Sequence, residues 1–324
     1  MKAIKCTKYG APEVLKIVDI DKPQPKDDEI LIKIYASTVT VADCRVRGFN
    51  VPPSFYIPAM LVLGIGKPKK PILGGELSGV IEETGKNVTK FKTGDAVFAF
   101  PGKNFGAYAE YICLNVNKCI ALKPESLSFE ESAALSFGGI TAMYFLKKSN
   151  IQNGDKVLIY GASGCIGSSA VQLAKYLGAA VTGICSTGNL EMVKKIGADT
   201  VIDYTQTDLA DINERYDVVF DTVGKADISK MVNLIKPSGH YLHAVTDPFT
   251  IRKIRQKLKG TNIQLTGGSY TANIDQINEI AQLAAAGAIK PLIDRHYNFD
   301  EIVPAHEYVD KGHKKGSVVI KVSG

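Results

Sequence analysis

No run of eighteen apolar residues occurs in the 324-residue chain, so no membrane-spanning helix is expected. The opening stretch MKAIKCTKYGAPEVLKIVDI alternates like a strand and lacks the apolar core of a signal peptide. The expected location is therefore the cytosol or an equivalent compartment, with no membrane partner. The six cysteines (6, 44, 113, 119, 165, 185) contain no C-x-x-C pair and are too scattered for a disulfide scaffold. Cys165 and Cys185 read as small buried apolar residues. His240, His243, His296, His306 and His313 show no metal-ligand spacing and read as structural, although His243 ends a strand. The formal charge of +6 comes from lysines scattered among acids, without a basic stripe, so no nucleic-acid partner is expected. The densest basic cluster, IRKIRQKLK (251–259), has apolar residues at 251, 254 and 258, the spacing of a surface helix. Internal repeats and low-complexity segments are also missing.

What is present is a globular composition, 45% hydrophobic and 22% charged, at a length that favours two domains. Segments 2–6, 15–20, 29–40, 79–84, 96–99 and 107–114 read as strands separated by Gly, Pro and Asp turns, which predicts a compact barrel-like β domain. Near residue 125 the texture changes. Ser126 or Ser128 offers an N-cap, with Glu130 and Glu131 in the first turn. Strands at 157–160, 180–185, 200–203, 218–222 and 239–244 then alternate with helical patterns at 166–177, 190–196 and 228–235. That alternation predicts an α/β fold with a doubly wound parallel sheet. A helix at 274–286 and a strand at 318–322 close the chain. The expected division is a β domain over 1–124, a nucleotide-binding domain over 125–273, and a return segment, 274–324, that completes the first.

The stretch YGASGCIGSSAVQLAK carries the chemistry. Gly161, Gly164 and Gly167 follow a strand and open a helix, the context required of a dinucleotide fingerprint. One glycine permits the tight turn, Gly164 lets the backbone approach a pyrophosphate, and Gly167 lets helix and strand pack closely. N–H groups of Ala162, Ser163, Cys165 and Ile166 complete the expected cradle, helped by the helix dipole. The spacing is G-x-x-G-x-x-G, a departure from the stricter form at Ala162. An NAD site usually ends the next strand in Asp or Glu for the ribose 2′-hydroxyl. Here the strand ends Cys185-Ser186-Thr187. Hydroxyls of Ser186 and Thr187 suit a 2′-phosphate, which argues for NADPH over NADH. They also suit helix capping, and the two roles are compatible. Lys194 and Lys195 follow further along. Thr222, Val223, Gly224, Ala244, Val245 and Thr246 fall at carboxyl ends of predicted strands, the ligand-binding edge of such sheets.

With these motifs the chain resembles the zinc-independent medium-chain dehydrogenase/reductase family, in its quinone oxidoreductase-like branch. The segments that carry the resemblance are 2–37, GGELSGVIEETGKNVTKFKTGDAVFAF (74–100), GAYAEYICL (106–114), SFEESAALSFGGITAMYFL (128–146), the glycine loop, KKIGADTVIDY (194–204) and 287–322. The resemblance implies a GroES-like β domain, a Rossmann domain and a homodimer. Zinc members of the family use a cysteine, a His-Glu pair and a second cysteine. Those positions here hold Thr40, Gly75 beside Glu76, and Ser136 or Phe137. Cys44 is out of register and the four-cysteine lobe is missing, so no zinc is expected. Without a Lewis acid to stabilise an alkoxide, hydride transfer to a quinone or α,β-unsaturated carbonyl is the expected reaction. Two alternatives stand beside it: a zinc-free alcohol or aldehyde oxidoreductase, and a cofactor-binding interaction protein with little turnover.

Relatives often read Asn-Pro-x-Asp where this chain has Thr40-Val41-Ala42-Asp43. The resemblance thus implies Thr40 as a donor and Asp43 as an orienting group, although pairing of Asp43 with Arg45 or Arg47 is the favoured reading. The Pro- and Gly-rich stretch 49–73 reads as a loop overhanging the cleft, with Phe55 and Tyr56 as candidate walls and Tyr56 as a candidate proton donor, although plain packing is the favoured reading for both. By the same resemblance Thr141 lies near the nicotinamide and Tyr204 near the adenosine phosphate, and Gly268 and Ser269 close over the nicotinamide.

Overall fold

The computed structural model describes residues 1–51, 56–245, 247–268 and 270–323. In chain order the strands and helices begin with β1 (Lys2–Cys6), β2 (Leu15–Asp19), β3 (Glu29–Val39), α1 (Val41–Gly48), α2 (Tyr56–Leu63), β4 (Leu77–Thr84), β5 (Ala96–Ala99), β6 (Tyr111–Asn115) and β7 (Ile120–Leu122). Helix α3 (Phe129–Lys148) follows, then β8 (Lys156–Tyr160), α4 (Cys165–Tyr176), β9 (Ala180–Cys185), α5 (Leu190–Lys195), β10 (Thr200–Asp203), β11 (Tyr216–Asp221), α6 (Ile228–Asn233), β12 (Ile235–His243), α7 (Pro248–Lys257) and β13 (Gln264–Gly267). The chain ends with α8 (Ile274–Ala285), β14 (Ile293–Asn298), α9 (Ile302–Asp310) and β15 (Ser317–Lys321). It divides into two compact units. One comprises Met1–Ser136, Ala272–Ala285 and Leu292–Gly324; the other comprises Phe137–Thr271 and Ala286–Pro291.

The first unit is built on a seven-stranded sheet ordered β14-β15-β3-β4-β5-β7, with β6 also paired to β3, and a separate β1-β2 hairpin. Strand β3 is its spine, pairing antiparallel with β4, β6 and β15. The alternating Ile30, Ile32 and Ile34 of β3 are fully buried with Leu77, Ile81 and Val97, as β-branched side chains on a pleated face should be. The second unit is an all-parallel six-stranded sheet ordered β10-β9-β8-β11-β12-β13. The strand order reverses between β8 and β11, and such folds bind ligands beyond the carboxyl ends of the strands at this switch point. Leu158, Ile184, Val219 and Tyr241 anchor its core.

Local chemistry explains the helices. Ser128 Oγ accepts from the Glu131 N–H and the Glu131 carboxylate accepts from the Ser128 N–H, so Ser128 is the cap that starts α3. Asp247 caps α7, Pro248 occupies its first turn, and Ile251, Ile254 and Leu258 turn inward. The structure also departs from the sequence reading. Residues 41–48 form a helix, and the supposed loop at 49–73 contains α2. Strand β7 was not foreseen, and β12 begins at Ile235, where a helix was expected to end. Cys185 is buried, but Cys165 is only half-buried.

Candidate cofactor-binding and catalytic site

Strand β8 delivers the glycine loop to the carboxyl edge of the parallel sheet. Gly161 has φ of 82°, a left-handed conformation that an L side chain disfavours. A Cβ on Gly167 would stand 2.1 Å from the Gly161 carbonyl oxygen, so α4 can seat against the loop only with glycine there. Gly164 differs. It is the N-cap of α4 and has no side chain to bond the first-turn N–H groups. The nearest chain atom to a Cβ there would be the Gly161 carbonyl oxygen at 3.4 Å. Packing therefore does not demand this glycine. Donor groups at a positive dipole end suit a pyrophosphate. The residues present fit a dinucleotide.

Residues that follow the neighbouring strands stand on the same edge. Thr222 Oγ donates to the Tyr160 carbonyl at 2.8 Å, and Val223 packs against Gly161. Buried Asp221 holds this turn by accepting from the Val223 and Gly224 N–H groups at 2.9 and 2.7 Å. Ala244 donates to the Asp221 carbonyl, and Val245 packs over Gly224. The Tyr204 ring lies 6.2 Å from the Tyr160 ring. Ala162 is buried beneath the loop, while Ser163 and Ile166 stay partly accessible. Gly268 follows β13, with φ of 107°. Ser269, like Thr246 and Phe55, lies outside the described residues. Thr141 is 2% exposed and shares a 2.5 Å hydrogen bond with the Tyr270 hydroxyl.

Three residues of this unit escaped the sequence reading. Asn189 Nδ2 donates to both Ser163 Oγ (3.2 Å) and Ser186 Oγ (3.1 Å), tying the glycine loop to the end of β9. Asp203, at the end of β10, accepts the Thr187 hydroxyl at 2.5 Å. The end of β9 lacks an acid in sequence, yet the neighbouring strand supplies one. Hydrogen bonds from Thr187 and Thr205 hold the Asp203 carboxyl below its ordinary range. The edge rule for parallel sheets could have flagged Asp203, because β10 ends beside Cys185. Tyr270, stacked on Tyr144 with ring centres 4.6 Å apart, carried no sequence signal.

In the first unit Thr40 and Asp43 form a capping box that starts α1. The Asp43 N–H donates to Thr40 Oγ, and the Thr40 N–H and Oγ–H donate to Asp43 Oδ2 at 2.9 and 2.5 Å. The Gly74 N–H donates to Asp43 Oδ1 at 3.0 Å. Burial raises the Asp43 pKa against the lowering effect of these bonds. The favoured pairing of Asp43 with Arg45 or Arg47 does not occur. Arg47 instead binds Asp310 Oδ2 at 2.6 Å, because α9 brings that acid within reach. Tyr56 is 51% exposed, with its ring edge-on to Phe49 at 5.0 Å.

The positions where zinc members carry ligands do not fit the metal. Thr40 is spent in the capping box, and Gly75 has no side chain. Glu76 is fully enclosed, and both of its carboxylate oxygens accept hydroxyls, from Thr38 and from Ser136 (2.9 Å). Zinc wants three or four N, S or carboxylate ligands in a tetrahedron. Among the described residues no group of three or more His, Cys, Asp or Glu side chains gathers to hold a metal.

Comparison with known proteins agrees with this architecture. Residues 26–124 match the alcohol dehydrogenase GroES-like domain, and residues 196–320 match the zinc-binding dehydrogenase model. The 2-methylene-furan-3-one reductase of Solanum lycopersicum is 34% identical over 337 residues, spanning 99% of this chain and 79% of the relative. The chloroplastic NADPH-dependent alkenal/one oxidoreductase of Arabidopsis thaliana is 30% identical, with the same coverage. The structure of the quinone oxidoreductase from Coxiella burnetii superposes with a TM-score of 0.88 at 30% identity, covering 100% of this chain and 99% of that one. A GroES-like domain, a parallel sheet with its glycine loop at the switch point, and relatives that match 99% of its length place this chain in the quinone oxidoreductase-like branch of the medium-chain dehydrogenase/reductase family.

Proposed function

We propose that this protein is an NADPH-dependent, zinc-independent reductase of quinones or α,β-unsaturated carbonyl compounds. The observation that carries the reading is the open crown of α4 at Gly164, in a chain whose named relatives reduce alkenals, a methylene-furanone and quinones. The loop N–H groups hold the pyrophosphate. Ser186, Thr187 and Tyr204 face the adenosine end, and the hydroxyls favour the 2′-phosphorylated form. Thr141, fixed by Tyr270, sits where the nicotinamide is expected. The reduced nicotinamide, when bound, supplies the hydride. Thr40 and Asp43 act by fixing the start of α1 and the Gly74 turn, and the Tyr56 phenol, half in solvent, is the proton donor. The engagement of Glu76 by two hydroxyls supports chemistry without a metal, in which charge on the acceptor oxygen is met by hydrogen-bond donors. A homodimer in the cytoplasm completes the proposal.

The test follows nicotinamide absorbance in chelator-treated protein, comparing NADPH with NADH against quinones, enones and simple aldehydes. Loss of NADPH absorbance with an enone or quinone, unaffected by chelation, is the expected result. Turnover confined to aldehydes, or abolished by chelation, sinks the reading. Tight NADPH binding without turnover assigns the chain to the interaction class. Sizing chromatography at the monomer mass contradicts the dimer.

A further inference from the structure

Among the described residues, helix α2 is the most apolar exposed element. None of its eight residues is buried. Ile57, Leu61, Val62 and Ile65 are 69%, 65%, 74% and 75% exposed, more than any other large hydrophobic residue described. Contiguous apolar surface of this kind marks a binding face. The helix is tethered to the body rather than trailing from it. Tyr56 packs on Phe49, Phe49 on Tyr9, and the Tyr9 hydroxyl donates to the Gly64 carbonyl at 3.1 Å.

Charge says what covers this face. Between Asp43 and Glu76 the sequence has no acidic residue, yet it holds Lys67, Lys69 and Lys70 immediately after the helix. Lys69 Nζ donates to the Leu61 carbonyl at 2.6 Å, which draws a cation against the apolar face. Lys70 Nζ reaches Asn104 Oδ1 at 2.7 Å and the Lys103 carbonyl, which brings a fourth lysine alongside. All four lysines are exposed, and none forms an ion pair among the described residues. A second copy of the chain is a poor occupant, since a two-fold contact would press these cations on themselves. An anionic lipid surface accepts both parts, apolar side chains at the acyl boundary and ammonium groups among headgroups.

We propose that α2 and the lysines at 67, 69, 70 and 103 form a peripheral docking surface for an anionic lipid bilayer. No long apolar run is required for this, because an interfacial helix needs no membrane-spanning length. The proposal shares Tyr56 of α2 with the proposed reaction, but docking is read by partition and can fail while acceptor reduction stands.

The experiment is sedimentation of the full chain with vesicles of phosphatidylcholine, with and without phosphatidylglycerol, at low and high salt. Partition to the anionic vesicles, weakened by salt, is expected. Leu61→Glu or Ile65→Glu should lower it about tenfold or more, and Lys67→Gln about fivefold. The thermal midpoint should stay put, because these side chains are already in water. No partition to anionic vesicles, or partition that Leu61→Glu and Ile65→Glu leave intact, overturns the proposal. A lipid-independent dimer that Leu61→Glu dissociates also overturns it and gives the face to a second copy.

Discussion

His306 Nε2 lies 3.2 Å from the Tyr108 hydroxyl, with both side chains fully buried. Arg47 sits on the other side, its Nη1 3.4 Å from His306 Nδ1. A guanidinium can only donate, so Nδ1 accepts and Nε2 carries the proton. The Tyr108 hydroxyl in turn donates a hydrogen bond to the Thr38 carbonyl at 3.2 Å. The chain Asp310–Arg47–His306–Tyr108–Thr38 ties α9 and α1 to the end of β3, two residues before Thr40.

Acid should find this network first. Burial, aided by the Arg47 charge, pushes the His306 pKa down to about 3. An unfolded histidine titrates near 6.5, so below that pH the unfolded chain binds a proton that the folded chain refuses. Stability therefore falls as pH drops from about 6.5 toward 3, by about 2 kcal/mol at pH 5 from this residue alone. Asp43 works the other way, since its raised pKa returns stability as it protonates. Denaturant titrations of His306→Gln should show lower stability at neutral pH but a smaller loss between pH 7 and 5. An unchanged pH slope would assign the acid sensitivity elsewhere.

Gly167→Ala and Gly164→Ala should separate packing from binding. The first collides with backbone and is expected to cost about 1–3 kcal/mol of stability. The second should leave the thermal midpoint nearly unchanged while weakening NADPH binding about tenfold, read by fluorescence titration. Equal stability losses in both variants would contradict a ligand-facing role for Gly164.

Replacing Asp203 by Asn removes a carboxylate beside Thr187. NADPH affinity should rise about fivefold at low salt and less at high salt, while NADH affinity barely moves. A parallel change for both cofactors would place the 2′-phosphate elsewhere.

Glu76→Ala strips an acceptor from the Thr38 and Ser136 hydroxyls in a dry site. About 2 kcal/mol of destabilisation is expected. Chelators and added zinc should leave the wild-type melting curve in place. A zinc-dependent rise in the midpoint would show that Glu76 can exchange its hydroxyl partners for a metal.

The parallel sheet, the glycine loop and the cap of α3 were legible because they rest on local rules: strand–helix alternation, turn glycines and side chains that bond nearby N–H groups. The same locality made Gly161, Gly164, Gly167, Ser186 and Thr187 readable as one candidate site. Helices α1 and α2 were missed because short helices lean on partners outside themselves: Arg47 of α1 on Asp310, and Tyr56 of α2 on Phe49, which packs on Tyr9. The partners that complete the polar sites come from distant sequence. Arg47 chooses Asp310 over nearby Asp43, Glu76 is held by Thr38 and Ser136, and Asp203 arrives beside Thr187 from the next strand. Sequence alone determined the repeating backbone geometry and the residues at its turns. Only the tertiary structure decided which charges meet and which apolar side chains stay in water, because pairing and burial depend on elements far apart in the chain.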